Sequence, residues 1–456
     1  MIGALQLSDL SSVIPAQIIG ADVKFTSVST DTRGIEAGDL FVALGGLNFD
    51  GNQFAREAES KGAVAVVVSV AQDVTIPQLL VGDTERALTG LAHLNRQRSA
   101  ATVTAVTGSQ GKTSVKEMAG LILGRSFSVL ITRGNLNNTI GVPLTLLRLE
   151  AGHQRAVIEL GANAAGEIAV TAGVSAPHIV LINNAAETHL EGFGDIDGVV
   201  QAKGEIIDAS DTTHTVILNA DDPHVGEWQA RAGERSCRLF SVCQDSAADY
   251  YATDIVSGAR GTRFSLVTPQ GDTQCQVALI GRHNVANAVA AAALAMEAGA
   301  TLADVRAGLL TMKPVSGRLA PLSGINGCQL LDDSYNASPS SFRAAIDVLV
   351  GLGGTNRTIL VMGDMGELGD QHVVAAHRQV GSYARERGVN QLWTTGENSQ
   401  LATQAFGAGA QHFEDKPSLI EYALQTLTAD TVVLIKGSRS AAMDEVSNQL
   451  RTWENN

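Results

Sequence analysis

The chain has 456 residues, too many for one ordinary hydrophobic core, so two or three domains are expected. With 45% hydrophobic residues, 17% charged residues and 47 glycines, it has the composition of a compact, turn-rich α/β protein and not of a disordered one. A formal net charge of −15 without any lysine or arginine cluster argues against nucleic acid or an anionic membrane as partner, and leaves an anionic substrate to a few local cations.

Cys237, Cys243, Cys275 and Cys328 form no C-x-x-C pair, so neither a zinc knuckle nor a disulfide framework is indicated. They read as small apolar residues in a reducing compartment. The first nine residues lack a basic n-region and include Asp9, unlike a signal peptide. The longest apolar run, residues 62–71, falls well short of the ~18 residues that span a bilayer. A soluble cytoplasmic protein without membrane insertion is expected.

In chain order, residues 1–84 form a first unit. Ser29, Asp31 and Arg33 lie in a turn signal. Phe41, Val42 and Leu44 read as a strand meeting the glycine pair Gly45 and Gly46, and residues 63–68 read as an Ala/Val-rich strand. Taken alone, this segment supports no more than a glycine-rich turn. A helix over residues 85–98 then leads to the most informative stretch, residues 103–114: a β-branched run, a glycine turn and a helix opening at Lys112.

That stretch reads as a phosphate cradle made by Thr107, Gly108, Ser109, Gln110, Gly111, Lys112 and Thr113. The glycines let backbone N–H groups face one point and the helix N-terminus adds its positive end. Lys112 supplies a charge, and the Thr113 hydroxyl is placed to ligate magnesium. Val106 stands where the longer pattern has a glycine, so this is the short G-x-x-G-K-T form. The guest expected is a nucleoside triphosphate.

Strands over residues 128–132, 155–160, 178–183 and 214–219 then alternate with helices. This is the pattern of a mostly parallel sheet with its functional loops at the carboxyl ends of the strands. Residues 249–280 change to short runs with turns at 258–261 and 269–271, an antiparallel addition, and an alanine-rich helix closes this unit near residue 313. From residue 314 to 456 a second doubly wound sheet is expected, with strands near Leu330 and over residues 357–362, 391–394 and 431–435. The expected architecture is therefore α/β in three domains: 1–84, a central P-loop domain over 85–313, and a Rossmann-like domain over 314–456.

Candidate chemistry gathers at strand ends. Glu159 can take a second protein position on a cradle magnesium, or cap the next helix. His189 by itself reads as a loop residue, and Lys203, on a helix with an apolar face, as a surface lysine. Asn137 and Asn138 offer amide groups beside the cradle, or form a capped turn. Arg318, Asp333, Lys436 and Arg439 lie at a domain boundary and at strand ends of the third unit, where each is also readable as one half of a surface salt bridge.

Seven blocks occur in one order: residues 107–113, 135–143, 159–163 (Glu-Leu-Gly-Ala-Asn), 189–194, 202–205, 281–287 and 332–337 (Asp-Asp-Ser-Tyr-Asn-Ala). In this the whole chain resembles the Mur ligases. The resemblance implies an ATP-dependent ligase that forms a peptide bond through an acyl phosphate, with ATP and Mg2+ as cofactors. The implied substrates are UDP-N-acetylmuramoyl-tripeptide and D-alanyl-D-alanine, joined by a monomer in the cytoplasmic stage of peptidoglycan synthesis. The blocks at 159–163 and 332–337, without any Asp-Asn-Pro-Arg motif, favour the dipeptide-adding member over the diaminopimelate-adding one. By the same resemblance, Ser29, Asp31, Arg33 and Gly46 hold the uridine diphosphate end. Thr113 and Glu159 ligate one magnesium, and His189 and Lys203 a second, with Lys203 carrying a carbamate. Asn287 sits on the adenine side, and Arg318 and Asp333 reach the nucleotide from the other lobe. Asn52 departs from the histidine often found after Asp-Gly in related sequences. Two other readings share parts of this pattern: a folylpolyglutamate synthase-like ligase, and a P-loop module that binds nucleotide without catalysis.

Overall fold

The computed structural model describes residues 1–46, 49–188, 190–243, 247–258 and 261–452. Three sheets carry the chain. The first has five strands in the order Ala16–Ile19, Gln78–Val81, Ala65–Val68, Asp39–Val42 and Ser27–Ser29, all parallel except the antiparallel edge strand Ala16–Ile19. Every residue of Asp39–Val42 and Ala65–Val68 is buried, as expected of parallel strands covered on both faces.

Helix Thr84–Gln97 joins this sheet to the next. Asp83 caps it, accepting from the N–H groups of Glu85 and Arg86. Its Ala87, Leu88 and Leu91 share one continuous apolar core with Leu40 and Val42 of the first sheet and with Leu146 and Leu149 of the central region. Asn95 Nδ2 donates to the carbonyls of Leu146 and Leu149 at 2.8 and 3.1 Å, and Arg96 Nε donates to Ser175 O at 2.8 Å. The first lobe is thus fastened to the second through a shared core and not only through a linker.

The central sheet has nine strands in the order Val129–Ile131, Arg155–Glu159, Thr102–Thr107, Ile179–Ile182, Thr215–Asn219, Ser236–Ser241, Tyr250–Gly258, Gly261–Thr268 and Gly271–Val277. The first seven run parallel and the last two are antiparallel. Strand Ser236–Ser241 was not among the sequence expectations. Its Ser-Cys-Arg-Leu-Phe-Ser is only partly buried over its first four residues and carries no continuous apolar run. The chain reaches one side of Thr102–Thr107 with Val129–Ile131 and Arg155–Glu159, then crosses to the other with Ile179–Ile182. The carboxyl end of Thr102–Thr107 is therefore the topological switch point, where a crevice opens. Helix Arg282–Glu297, almost entirely buried and rich in alanine, packs closely against helix Lys112–Leu123 beneath the sheet.

The third sheet follows the order Ala320–Ser323, Gln329–Asp333, Thr431–Lys436, Arg357–Met362, Gln391–Thr395 and Ala410–Phe413, with only Ala320–Ser323 antiparallel. The two edge strands were not expected from sequence: Ala320–Ser323 contains a proline, and Ala410–Phe413 is short and half-exposed. All four cysteines are free. Among the described residues, no helix is long and apolar enough to cross a membrane.

Candidate functional site

Between the central and third sheets lies a cleft of about 500 Å³ with the glycine turn on its floor. Gly111 takes a left-handed conformation, φ +78°, and helix Lys112–Leu123 starts directly after it. A methyl group at Gly111 would lie 2.2 Å from Asn287 Oδ1 and 2.5 Å from Asn183 Nδ2, so glycine is required by the neighbours as well as by φ. Those two asparagines are joined: Asn183 Nδ2 donates to Asn287 Oδ1 at 2.9 Å and to Gln110 O at 2.9 Å.

One sequence expectation is refined here. The N–H groups of Ser109 and Gln110 do not face the cleft; they donate to Asn184 O and Asn184 Oδ1 at 3.0 and 2.8 Å. The amides of Gly111, Lys112, Thr113 and Ser114 have no backbone acceptor among the described residues, and they open the helix toward the cleft. The Thr107 hydroxyl is engaged by the neighbouring strand, donating to Leu160 O at 2.8 Å. Asn183 and Asn184 were missed by sequence reasoning. Their only signal was position, at the carboxyl end of a strand beside the cradle.

Lys112 Nζ reaches back to Gly108 O at 2.6 Å, and burial lowers its pKa against the opposing pull of Glu159. Glu159 ends strand Arg155–Glu159 and is 1% exposed. Its Oε1 accepts from the Thr113 hydroxyl at 3.1 Å and from Asn137 Nδ2 at 2.8 Å. Its Oε2 is buried with no hydrogen-bond donor among the described residues. The carboxylate therefore faces the cradle and does not cap the next helix. Lys116, one turn along the cradle helix, is fully buried and lies 3.9 Å from Glu159 Oε2 while donating to Thr132 O at 2.9 Å. It was not singled out from sequence, because a lysine inside a helix ordinarily faces solvent.

Asn137 and Asn138 separate in role. Asn137 touches Glu159, whereas Asn138 Oδ1 accepts from Gly141 N at 2.8 Å, holding the turn that enters helix Gly141–Leu146. Lys203 is the clearest departure from a residue-by-residue reading. It is 1% exposed, not a surface residue, and burial, with Lys112 nearby, pulls its pKa down to about 7. His189 lies outside the described residues.

The third lobe reaches over the cradle. Arg318 donates to Thr113 Oγ1 at 3.1 Å while its guanidinium stacks 4.2 Å from the Tyr335 ring centroid. Gln110 Nε2 donates to Ser338 Oγ and Ser340 Oγ at 3.0 and 2.6 Å. Asp333 accepts from Lys436 Nζ at 2.6 Å and from Leu319 N at 3.1 Å, and burial raises its pKa in spite of the lysine. His283, also on the cleft, is held neutral by burial beside Lys436, its pKa brought down to about 4.

Ser29, Asp31, Arg33 and Gly46 are not part of this cleft. Ser29 Oγ donates to Asp31 O at 2.9 Å. Arg33 and Asp31 form an exposed bidentate pair, which holds the Asp31 carboxyl down at about 2. Gly46 pairs with Phe49 in a two-residue ribbon. Asn52 is buried and structural: its side chain bonds Asp50 and both the hydroxyl and the N–H of Ser69.

A glycine turn, lysine and hydroxyl at the switch point of a parallel sheet, covered by a second α/β lobe that supplies an arginine, define a P-loop nucleotide-binding protein. Three family models cover most of the sequence: Mur ligase family, catalytic domain (residues 24–98), Mur ligase middle domain (106–295), and Mur ligase, glutamate ligase domain (317–439). The chain belongs to the Mur ligase family. It is 46% identical to the UDP-N-acetylmuramoyl-tripeptide–D-alanyl-D-alanine ligase of Escherichia coli, over 98% of both chains. Among solved structures it resembles MurF from Acinetobacter baumannii, with a TM-score of 0.92, 33% identity and coverage of 98% of this chain and 99% of that one. It also resembles MurF from Thermotoga maritima in complex with ADP, with a TM-score of 0.82, 25% identity and coverage of 93% and 96%.

Proposed function

We propose that the protein joins D-alanyl-D-alanine to UDP-N-acetylmuramoyl-tripeptide at the expense of ATP, acting as a monomer in the cytoplasm in peptidoglycan synthesis. The observation that carries this reading is the 46% identity to the E. coli ligase over essentially the full length of both chains. The cleft geometry supports it. In the reaction, the terminal carboxylate of the tripeptide attacks the γ-phosphorus of ATP in line, ADP leaves, and the dipeptide amine displaces phosphate from the resulting acyl phosphate.

Two anions must meet in the first step, so positive charge and fixed N–H groups carry the electrostatic load. The open amides from Gly111 to Ser114 and Lys112 suit the phosphates, and Arg318 reaches the same point from the other lobe. Asn287, packed on Gly111, suits the adenine side, and Asp333 lines the same cleft from the other lobe. The donor set also fits magnesium. Glu159 Oε2 is a buried carboxylate oxygen lacking a donor among the described residues, with the Thr113 hydroxyl on its partner oxygen, and magnesium characteristically takes one or two such oxygens together with substrate phosphates. When bound, the ion neutralises charge on the phosphoryl oxygens. A second ion would take His189 and Lys203. For Lys203, a buried amine with a pKa of about 7 is substantially neutral at physiological pH and able to capture carbon dioxide as an anionic carbamate.

On this reading residues 1–84 take the uridine diphosphate end through Ser29, Asp31, Arg33 and Gly46. Residues 85–313 bind ATP, with Asn137 and Asn138 near the acyl group, and residues 314–456 bring the dipeptide. The test is a phosphate-release assay with ATP, magnesium, the muramoyl tripeptide nucleotide and D-alanyl-D-alanine, with the pentapeptide product identified by mass. Release that is independent of the dipeptide, or no pentapeptide, would reject the proposal; faster turnover with a folate substrate would reassign it.

A further inference from the structure

Part of the cleft wall contributed by the third lobe is a short connection. Residues 363–369 join strand Arg357–Met362 to helix Asp370–Glu386, and Gly366, Glu367 and Leu368 within it line the cleft. Glu367 has φ +60°, a left-handed conformation that a residue other than glycine keeps only where its surroundings impose it. The connection is tied down from behind. Gly363 N donates to Lys436 O at 2.9 Å, Asp364 O accepts from Ser438 N at 2.8 Å, and the Asp364 carboxylate accepts from Ser399 N at 2.7 Å. Next to Gly366, Met365 N donates to His377 Nε2 at 3.0 Å.

His377 stands about two turns along the helix and is fully buried. Its Nδ1 lies 2.8 Å from Val373 O, a carbonyl that can only accept, so the hydrogen is on Nδ1 and Nε2 keeps its lone pair for Met365. Burial lowers the imidazole pKa against the pull of Asp364 and favours this neutral form. Both ring nitrogens are engaged within the lobe, so the ring itself takes no part in the chemistry. We infer that His377 is a positioning residue for ligation: through one acceptor nitrogen it holds Met365, and with it the turn Gly366–Leu368 that walls the cleft. The kinetic consequence rests on the ligase reading above, whereas the hold on Met365 does not.

The two nitrogens can be tested apart in the full-length protein. His377→Gln places an amide oxygen close to Nε2 and can still accept from Met365 N; His377→Asn reaches only as far as Nδ1 and can serve Val373 O alone. Hydrogen exchange at Met365 should be slow in wild type and in His377→Gln, and at least about tenfold faster in His377→Asn. In steady-state assays, kcat/KM for ATP per folded enzyme should fall at least about tenfold in His377→Asn, the scale of a buried donor left without a partner, and stay within about threefold of wild type in His377→Gln. A histidine that only stabilises the lobe would lower the thermal midpoint of both variants and leave their kcat/KM per folded enzyme alike. Equal kinetics in the two variants, or higher activity in His377→Asn, would overturn the assignment. So would fast exchange at Met365 in wild type, a result obtainable even if neither variant folds. Absence of ligation by wild type would remove the ligase reading and the kinetic role with it, whatever the exchange shows.

Discussion

Replacing Gly111 with alanine tests the cradle at its tightest point. The added methyl would stand 2.2 Å from Asn287 Oδ1 and 2.5 Å from Asn183 Nδ2, and φ at this residue is +78°. The left-handed backbone alone costs an L-residue about 1–2 kcal/mol. Relieving the contact means separating Asn183 from Asn287, both buried, whose 2.9 Å hydrogen bond also orients the Asn183 amide toward Gln110 O. Leaving a buried polar group unsatisfied costs about 1–3 kcal/mol. The native turn is thus disfavoured by about 3 kcal/mol, and because only that turn presents the open amides, apparent nucleotide affinity should fall about a hundred-fold. Calorimetric titration with magnesium and a non-hydrolysable ATP analogue measures this directly. Gly388→Ala is the matched control: φ is +82° there, but nothing lies within 4 Å of an added methyl. It should lower stability by the backbone cost alone and leave nucleotide affinity unchanged. If Gly111→Ala bound the analogue within threefold of wild type while remaining folded by circular dichroism, the role given to Gly111 and its two asparagines would be wrong.

Glu159→Gln keeps a side chain able to accept from Thr113 and Asn137 but removes the charge, so half-saturation by magnesium should rise at least about tenfold in a phosphate-release titration; an unchanged magnesium requirement would exclude Glu159 as a ligand. Lys116→Met removes a fully buried amino group that donates to Thr132 O and lies 2.7 Å from the partly exposed Glu117 carboxylate and 3.9 Å from Glu159, and leaving buried polar partners unsatisfied costs about 1–3 kcal/mol. A thermal midpoint unchanged within a degree would count against that. For Lys203, with a pKa of about 7 against an ordinary 10.5, the neutral amine becomes the major form as pH rises through 7, so bicarbonate-dependent activity and a carbon-13 carbamate signal should both grow from about pH 6 to 8. Between those two pKa values the unfolded chain binds more protons than the folded one, so this group's contribution to stability increases with pH across the same window. A pH-independent carbamate signal, or none, would contradict the burial argument.

Most parallel strands of the central and third sheets were legible because they carry apolar runs between helical patterns, the signature of strands buried on both faces. The strands that escaped are those without it. Ser236–Ser241 has polar residues at both ends and an arginine inside, and Ala320–Ser323 and Ala410–Phe413 are short edges. The extent of helix Thr84–Gln97 could be read, but not its double allegiance, since an amphipathic pattern states that a face is buried and not against which sheet.

The site divides along a similar line. Gly111, Lys112 and Thr113 are contiguous, so their chemistry is written in the local sequence. Glu159, Asn183 and Asn287 come from separate elements, and only the strand order brings them to one point: Thr102–Thr107 is flanked by Arg155–Glu159 on one side and Ile179–Ile182 on the other. Burial is the property that sequence conveys least. Lys116 and Lys203 both sit on amphipathic helices, where a lysine reads as solvent-facing, yet both are inside the protein. Their surroundings differ. Lys116 donates to Thr132 O at 2.9 Å and has the Glu117 and Glu159 carboxylates at 2.7 and 3.9 Å. Lys203 has the ring of Phe193 with its centroid 5.2 Å away and, among the described residues, no hydrogen-bond acceptor, so desolvation dominates and its pKa falls. What surrounds each nitrogen thus separates two buried lysines of one lobe: one is met by a carbonyl and two carboxylates, the other by an aromatic ring.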